Sequence, residues 1–400
     1  MSGAVSALAD DFSAAFYNPG GLALATRTSL SAGLFLAVSQ LSVNKTDPDI
    51  RSAFGIWFGA ALPIPLGGPL RDRLFAGIAY YHPAKSLLYE IGGAYDDLSF
   101  ALFQNRIQRD IILPALAFRF ADGWGLGVGA NAFAGASGGG GAIEGPSRSL
   151  EASTEIALTT VVAPVVGLRG RITSGFDFSL FYRGEFSVPF DITIDSRIAD
   201  RVVKVHVQSR TLYTPSVWGA GIAVRPSSRL RLALDGAWEQ WGRFSGSVVV
   251  IDGQLPTVGT PPVATLNPPQ SLARFFDIIT VRAGVEWDVY QSTRADTRLS
   301  TRFGLRVEPT PIPPQHGATN LADADKLGAS LGFGLAWGPL RIDLHVDAIW
   351  LGTIRIDKDP ARLIDESTAA GLQTTNPGYP QLHAGGSVWS GGLTVTGVLP

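Results

Sequence analysis

Arg341–Trp350 reads RIDLHVDAIW. Arg341, Asp343, His345 and Asp347 fall on one face of a strand, and Ile342, Leu344, Val346, Ala348 and Trp350 fall on the other. The same period of two returns along the chain. Arg229–Trp238 sets Arg229, Arg231 and Asp235 against Leu230, Leu232 and Leu234. Phe176–Phe186 sets Asp177, Ser179, Arg183 and Glu185 against Phe176, Phe178, Leu180, Tyr182 and Phe186. Val281–Trp287 and Arg302–Glu308 carry Arg282, Glu286, Arg302, Arg306 and Glu308 on their polar side. Such a chain folds as sheet. A soluble sandwich also alternates, with a wet face usually rich in Lys, Glu and Thr. Here Lys is scarce and Arg mixes with acids, as it would in a lumen lined by internal pairs.

Composition narrows the choice. Mean hydropathy is +0.18, and charged residues are 16% of the chain, against about 25% for an average soluble domain. Yet almost no window of ~18 residues is uniformly apolar, as a spanning helix requires. The longest uncharged run, Gly123–Ile143, is too rich in glycine to make a good helix. A closed barrel reconciles the two facts, because its strands turn apolar residues to lipid and polar ones to the lumen.

Connections alternate in length, as in such barrels. Ala121–Trp124, Gly170–Gly175, Arg225–Arg229 and Trp337–Leu340 are tight, whereas Gly138–Ser153, Val250–Arg274, Pro309–Lys326 and Asp357–Ala384 are long and rich in Gly, Pro and Asn. Trp124, Trp287 and Trp337 lie beside short turns, and Trp238 and Trp350 lie about nine residues farther along their strands, the length of one crossing. The expectation is an all-β transmembrane antiparallel β-barrel of about fourteen strands over residues 28–400, with residues 1–27 as a separate plug. Among the expected strands are Arg73–Ile91, Gly175–Ile194, Arg229–Val248 and Gly386–Gly397.

Other chemistries find little support. The chain has no cysteine, which excludes disulfides and thiolate catalysis, and its net charge of −2 with dispersed basic residues gives no nucleic-acid footprint. The five histidines show no metal-ligand spacing, and the run Gly138–Gly141 lacks the Lys-Ser/Thr of a phosphate loop. No metal, cofactor or catalytic residue is expected. His345, between Asp343 and Asp347 on one face, raises a barrel hydrolase as a rival, but no serine lies at a suggestive spacing and a lumen hydrogen-bond network accounts for the trio. The opening residues lack the basic start and apolar core of a signal peptide. A removed signal, or a start inside a longer mature chain, is expected.

The stretch before the first strand, ALADDFSAAFYNPGGLA (Ala7–Ala23), is too short and too punctuated to span a membrane. It resembles the hatch of the FadL/TodX family of outer-membrane transporters for hydrophobic compounds, with its Ala-Asp-Asp segment and Asn-Pro-(Ala/Gly)-Gly-Leu turn. Thr214–Gly246 is similar to that family's Pro-x-x-Trp and Trp-x-x-Trp strands, and Phe275–Trp287 to its Phe-x-Asp-x-x-x-x-Arg-x-Gly strand. Glu308–Pro314 and Asp323–Phe333 resemble its Pro-rich loop and Asp-x-Asp-Lys/Arg strand entry. Two features depart from the family. The hatch there extends farther upstream, and the last strand there usually ends on an aromatic, where this chain reads TVTGVLP.

The resemblance implies passive uptake of long-chain fatty acids or aromatic hydrocarbons across a bacterial outer membrane. The partners implied are a hydrophobic ligand, outer-membrane lipid or lipopolysaccharide, and the barrel-assembly machinery, with the protein a monomer. Asp10, Asp11, Asn18, Pro19 and Gly20 become candidate gating residues, the two acids being expected to meet arginines. Proline cannot donate to a sheet ladder, and family members carry a kinked third strand that opens the wall. His82 and Pro83, in the middle of the expected third strand, are therefore candidates for a lateral opening. Arg183, Arg282, Glu286 and Arg306 are candidates for lumen pairs or a ligand headgroup, with Arg282–Glu286 and Arg183–Glu185 expected to pair. A general porin is the remaining alternative.

Overall fold

The computed structural model describes the whole chain except residues 47, 49, 85–96, 104–108, 145–149, 199–200, 245–249, 254–273, 361–375 and 400. Its strands are β1 (Ser29–Val43), β2 (Ala53–Pro63), β3 (Leu74–Pro83), β4 (Ile111–Ala121), β5 (Trp124–Glu144), β6 (Leu150–Thr173), β7 (Phe176–Arg183), β8 (Phe186–Ile198), β9 (Arg201–Thr214), β10 (Val217–Val224), β11 (Leu230–Glu239), β12 (Val250–Gly253), β13 (Ile278–Ser292), β14 (Thr297–Glu308), β15 (Lys326–Trp337), β16 (Leu340–Asp357) and β17 (Gln381–Val398). Fourteen of them form an antiparallel ring: β1 to β7 in order, then β10, β11 and β13 to β17, with β17 pairing back onto β1 from Ser29↔Val398 to Val43↔Ala384. Closure leaves the ring with no exposed edge to satisfy. β8, β9 and β12 stand outside it, β8 running parallel to the far end of β5.

The alternation reads directly onto the wall. Leu30, Leu34, Phe58, Phe303, Leu331 and Val346 are exposed on its outer face. Ser179, Asp235, Glu286 and Ser330 are buried on its inner one. Trp287 and Trp337 are exposed at the short-turn rim, and Trp218, Trp238, Trp350 and Trp389 near the long-loop rim. On β15, Leu327 faces Trp350 and lies ten residues from Trp337. At ~3.4 Å per residue and a tilt of about 40°, that is roughly 26 Å of height, the thickness of an outer-membrane apolar band. Among the described residues, no helix is long and apolar enough to cross a membrane.

Four sequence expectations are corrected in detail. Gly175–Ile194 is two strands, because Gly184 donates to the Pro164 carbonyl (2.7 Å) and lies against the Pro164 ring, turning the chain off the ring. Gly138–Gly141, expected in a loop, is paired with Ser153–Ile156, and β8 pairs on the other side from Gly140 to Ile143. β11 stops at Glu239, where the turn Trp241–Arg243 carries Trp241 inward. The third strand ends at Pro83 among the described residues, so His82-Pro83 lies at its long-loop end and not in its middle; the continuation expected over 85–91 lies outside the described residues.

Candidate functional site

Residues before β1 are tied to the inner faces of strands all round the ring. The Ser2 amide donates to Ser330 Oγ on β15 (2.7 Å), the Val5 and Ser6 amides to Asp235 on β11 (3.1 and 3.0 Å), and Ser6 Oγ meets Ser179 Oγ on β7 (2.7 Å). Arg169 on β6 donates to the Ala9 carbonyl (2.7 Å), and Arg119 on β4 to the Ala23 carbonyl (2.7 Å). Phe12 stacks on Trp57 of β2 at 4.6 Å. Sequence reasoning missed Arg169, Arg119 and Asp235 as anchors. The available signal was a charged residue on the same strand face as inward glycine or serine.

The turn at Asn18 has the most exacting fit. Asn18, fully buried, accepts from the Gly20 amide (3.0 Å) and donates to the Leu168 carbonyl (2.9 Å), capping the 3-10 turn Pro19–Leu24. Gly125, Gly127 and Gly167 on β5 and β6 face it. A Cβ at Gly127 would collide with the Pro19 carbonyl group, and one at Gly167 with the Asn18 side chain. The wall is bare where the turn's backbone comes closest. Asp11 accepts from the Ser13 amide (2.9 Å) and hydroxyl (2.5 Å), starting the helix Ala14–Tyr17. Its partner is therefore local and not the expected arginine. Asp10 opens onto the cavity below, within the field of Arg169.

Between this segment and the short-turn rim lies a cavity of about 920 Å³. Its lining includes Arg169, Arg183, Arg231, Arg282, Arg302 and Arg306. Glu286 accepts from Arg231 and from Arg302; Arg302 reaches Asp343 at 2.6 Å, and Asp343 accepts from Arg341 at 2.7 Å. One ionic relay thus crosses β11, β13, β14 and β16. The expected pairs differ: Arg282 approaches Glu239 at 3.6 Å, and Glu185 meets Arg243 at 3.5 Å. Arg183 instead lies over the Phe16 ring at 4.4 Å. Arg306 meets Asp347 at 3.6 Å. Both acids beside His345 are thus engaged by arginines, and among the described residues no cluster suits a metal.

The long-loop end is different in kind. Tyr213, Trp241, Phe244 and Phe275 pack ring against ring at 4.6 to 6.4 Å, with Leu102, Ile278, Ile312 and Leu321 around them. A second cluster holds Leu41, Val43, Phe100, Leu351 and Leu382. Residues 97–103 enter beside the connection after β14, where the Ala322 amide donates to the Ser99 carbonyl (2.7 Å). Lys358, buried, donates to the carbonyls of Gly317 (2.9 Å) and Thr319 (2.7 Å), and desolvation lowers its pKa to about 8. Asp323, bonded to Thr310 and Lys326, has its pKa raised by burial, against the pull of Lys326.

His82 and Pro83 mark an uneven seam. β3 pairs with β2 as far as Pro83↔Gly55, but with β4 only as far as Tyr81↔Ile111. Beyond that point Asp110 bridges the strands through His82 Nδ1 (2.8 Å) and the Tyr80 hydroxyl (2.6 Å).

No family model matches the chain, and no curated protein sequence matches it. Solved structures do. A FadL homologue from Pseudomonas aeruginosa aligns at TM-score 0.62 and 13% identity, over 98% of this chain and 95% of that one. The toluene transporter TodX of P. putida aligns at TM-score 0.57 and 13% identity, over 96% and 94%. The CymD monoaromatic hydrocarbon channel aligns at 0.54 and 13%, over 97% and 92%. This chain has the FadL-type fold. A FadL-type barrel therefore positions both the arginine-lined cavity and the apolar clusters, with the N-terminal segment strung between opposite walls.

Proposed function

We propose that the chain is a member of the FadL/TodX family: a monomeric bacterial outer-membrane channel for passive uptake of hydrophobic small molecules. The observation that carries this reading is the polarity on either side of the N-terminal segment. Apolar clusters occupy the long-loop end and arginines the short-turn end. A hydrocarbon gains free energy on leaving water for the first environment and none on entering the second. Residues 1–27 act as the hatch, held by Asn18, Pro19 and Gly20, and cargo leaves sideways into the bilayer. The unequal pairing around β3 supports His82 and Pro83 as the place, since little backbone pairing must be broken there. The outer wall contacts lipid and lipopolysaccharide, and insertion relies on the barrel-assembly machinery.

Uptake of a labelled long-chain fatty acid and of toluene by cells carrying the protein tests the activity. Pro83→Thr, which can restore a ladder hydrogen bond, should slow uptake while leaving folding intact. Unchanged uptake by a folded Pro83→Thr protein removes the lateral exit. A large, ohmic single-channel conductance for salt, with no saturable hydrocarbon uptake, selects the porin.

A further inference from the structure

The arginines of the lower cavity are not equally compensated. Arg231, Arg302 and Arg341 share Glu286 and Asp343 in close ion pairs. Arg282 and Arg306 face each other directly across β13 and β14, on the same inner face. Like charges so placed repel. The acid nearest each is 3.6 Å away, and Glu239 already accepts the Thr280 hydroxyl at 2.9 Å and the Trp241 indole at 3.2 Å. Arg183 has the Phe16 and Phe181 rings at 4.4 and 5.3 Å and, among the described residues, no carboxylate within ion-pair distance. The Nε atoms of Arg183 and Arg306 are buried without a hydrogen-bond partner. The three lie around the Phe16–Tyr17 pair: Arg183 over the Phe16 ring, Arg282 beside Gly3 next to the Tyr17 ring edge, and Arg306 opposite Arg282, whose other cross-strand neighbour, Asp235, is already taken by the Val5 and Ser6 amides. All three border the cavity.

We propose that Arg183, Arg282 and Arg306, with Tyr17, form a binding site for one small hydrophilic oxyanion. Guanidinium groups present paired N–H donors that match phosphate and carboxylate oxygens. A bound anion would convert the Arg282–Arg306 repulsion into a bridge and fasten the Phe16–Tyr17 turn to β7, β13 and β14. Arginines, serines and acids make up most of the cavity's border, with Met1, Val5, Leu8, Phe16 and Leu344 set among them, so an amphiphile's tail would lie against charged groups on most sides. The occupant is a free phosphate-type or short carboxylate ion, or the same group on a lipid headgroup reaching in from the short-turn rim. This site does not depend on what the barrel transports.

The test is isothermal titration of the full chain in neutral detergent with inorganic phosphate, acetate, octanoate and glycerol phosphate, and with phosphatidylglycerol in mixed micelles. Saturable phosphate binding, with a Kd of about 1 mM or tighter and weakening as chloride rises, is expected. Arg183→Gln and Arg306→Gln should each weaken it at least tenfold, and octanoate should bind no more tightly than acetate. Phosphate binding against the lipid arm separates a free ion from a headgroup. No phosphate binding to the intact protein, or binding unchanged in either folded variant, overturns the site. Octanoate binding tenfold tighter than acetate overturns the hydrophilic occupant. If a variant does not fold, phosphate-dependent protection of the N-terminal segment from protease in the intact chain still decides. Toluene uptake, measured separately, bears on the transport reading alone.

Discussion

The two ends of the lumen are built from the same strands and have opposite chemistry. β11 and β13 show it within a few residues. At Trp241, Phe275 and Ile278 their long-loop ends feed an aromatic cluster, whereas Arg231, Arg282 and Glu286 face the cavity lower down. Glu239 lies at the boundary, bonded to Trp241 on one side and approached by Arg282 on the other. The wall itself supplies both chemistries, and the N-terminal segment is anchored between them, where glycines leave room and single polar side chains meet its backbone.

Trp241→Ala tests the upper end with the largest effect. Trp241 is 1% exposed, so its loss should cost ~3–5 kcal/mol in urea unfolding of vesicle-inserted protein, and raise the concentration needed for half-maximal hydrocarbon uptake. Because its loss also frees Glu239 to turn towards Arg282, phosphate binding below should weaken, by less than in Arg306→Gln. Gly127→Val attacks the anchoring itself. Its side chain collides with the turn at Pro19, so we expect a loss of about 2–3 kcal/mol or release of the segment, read as faster proteolysis before residue 28 and higher salt conductance. Glu286→Gln acts only on the lower end. It leaves Arg231 and Arg302 facing one another and should cost ~1–2 kcal/mol, more in low salt than in high, since cavity water screens what a dry core would not.

A pH dependence belongs to the upper end alone. The pKa of Lys358 is about 8 in the folded chain and near its ordinary 10.5 when unfolded. Between those values the unfolded chain holds a proton that the folded chain has lost, so stability rises with pH, by up to about 1.4 kcal/mol per pH unit. Below pH 8 this contribution is flat. Lys358→Met should abolish the slope over pH 8 to 10.5, and a slope unchanged in that variant removes Lys358 as its source.

Strand positions were legible because alternation is a local property: RIDLHVDAIW has one face for lipid and one for the lumen whatever lies next to it. Failures came where neighbours decide. Gly138–Gly141 has little propensity to pair and does so because β6 lies along it, with β8 on the other side of Gly140 and Gly141. Arg282 and Glu286 share a strand face, yet the nearest acid to Arg282 comes from β11 and the bases on Glu286 from β11 and β14. Such partners depend on register between strands far apart in sequence. The turn at Asn18–Gly21 could be singled out from its residues, but not that Gly125, Gly127 and Gly167 leave it room.

The most direct test of the central claim is to lock the segment in place. Ser6 and Ser179 have their hydroxyl oxygens 2.7 Å apart, and the chain contains no cysteine. Ser6→Cys with Ser179→Cys should therefore form a single disulfide on mild oxidation, tying the segment to β7. If cargo leaves sideways above the arginines, as proposed, hydrocarbon uptake by the locked protein should match that of its reduced form. Uptake that stops on oxidation and returns on reduction would contradict the account, since the cargo would then have to pass through the lower cavity.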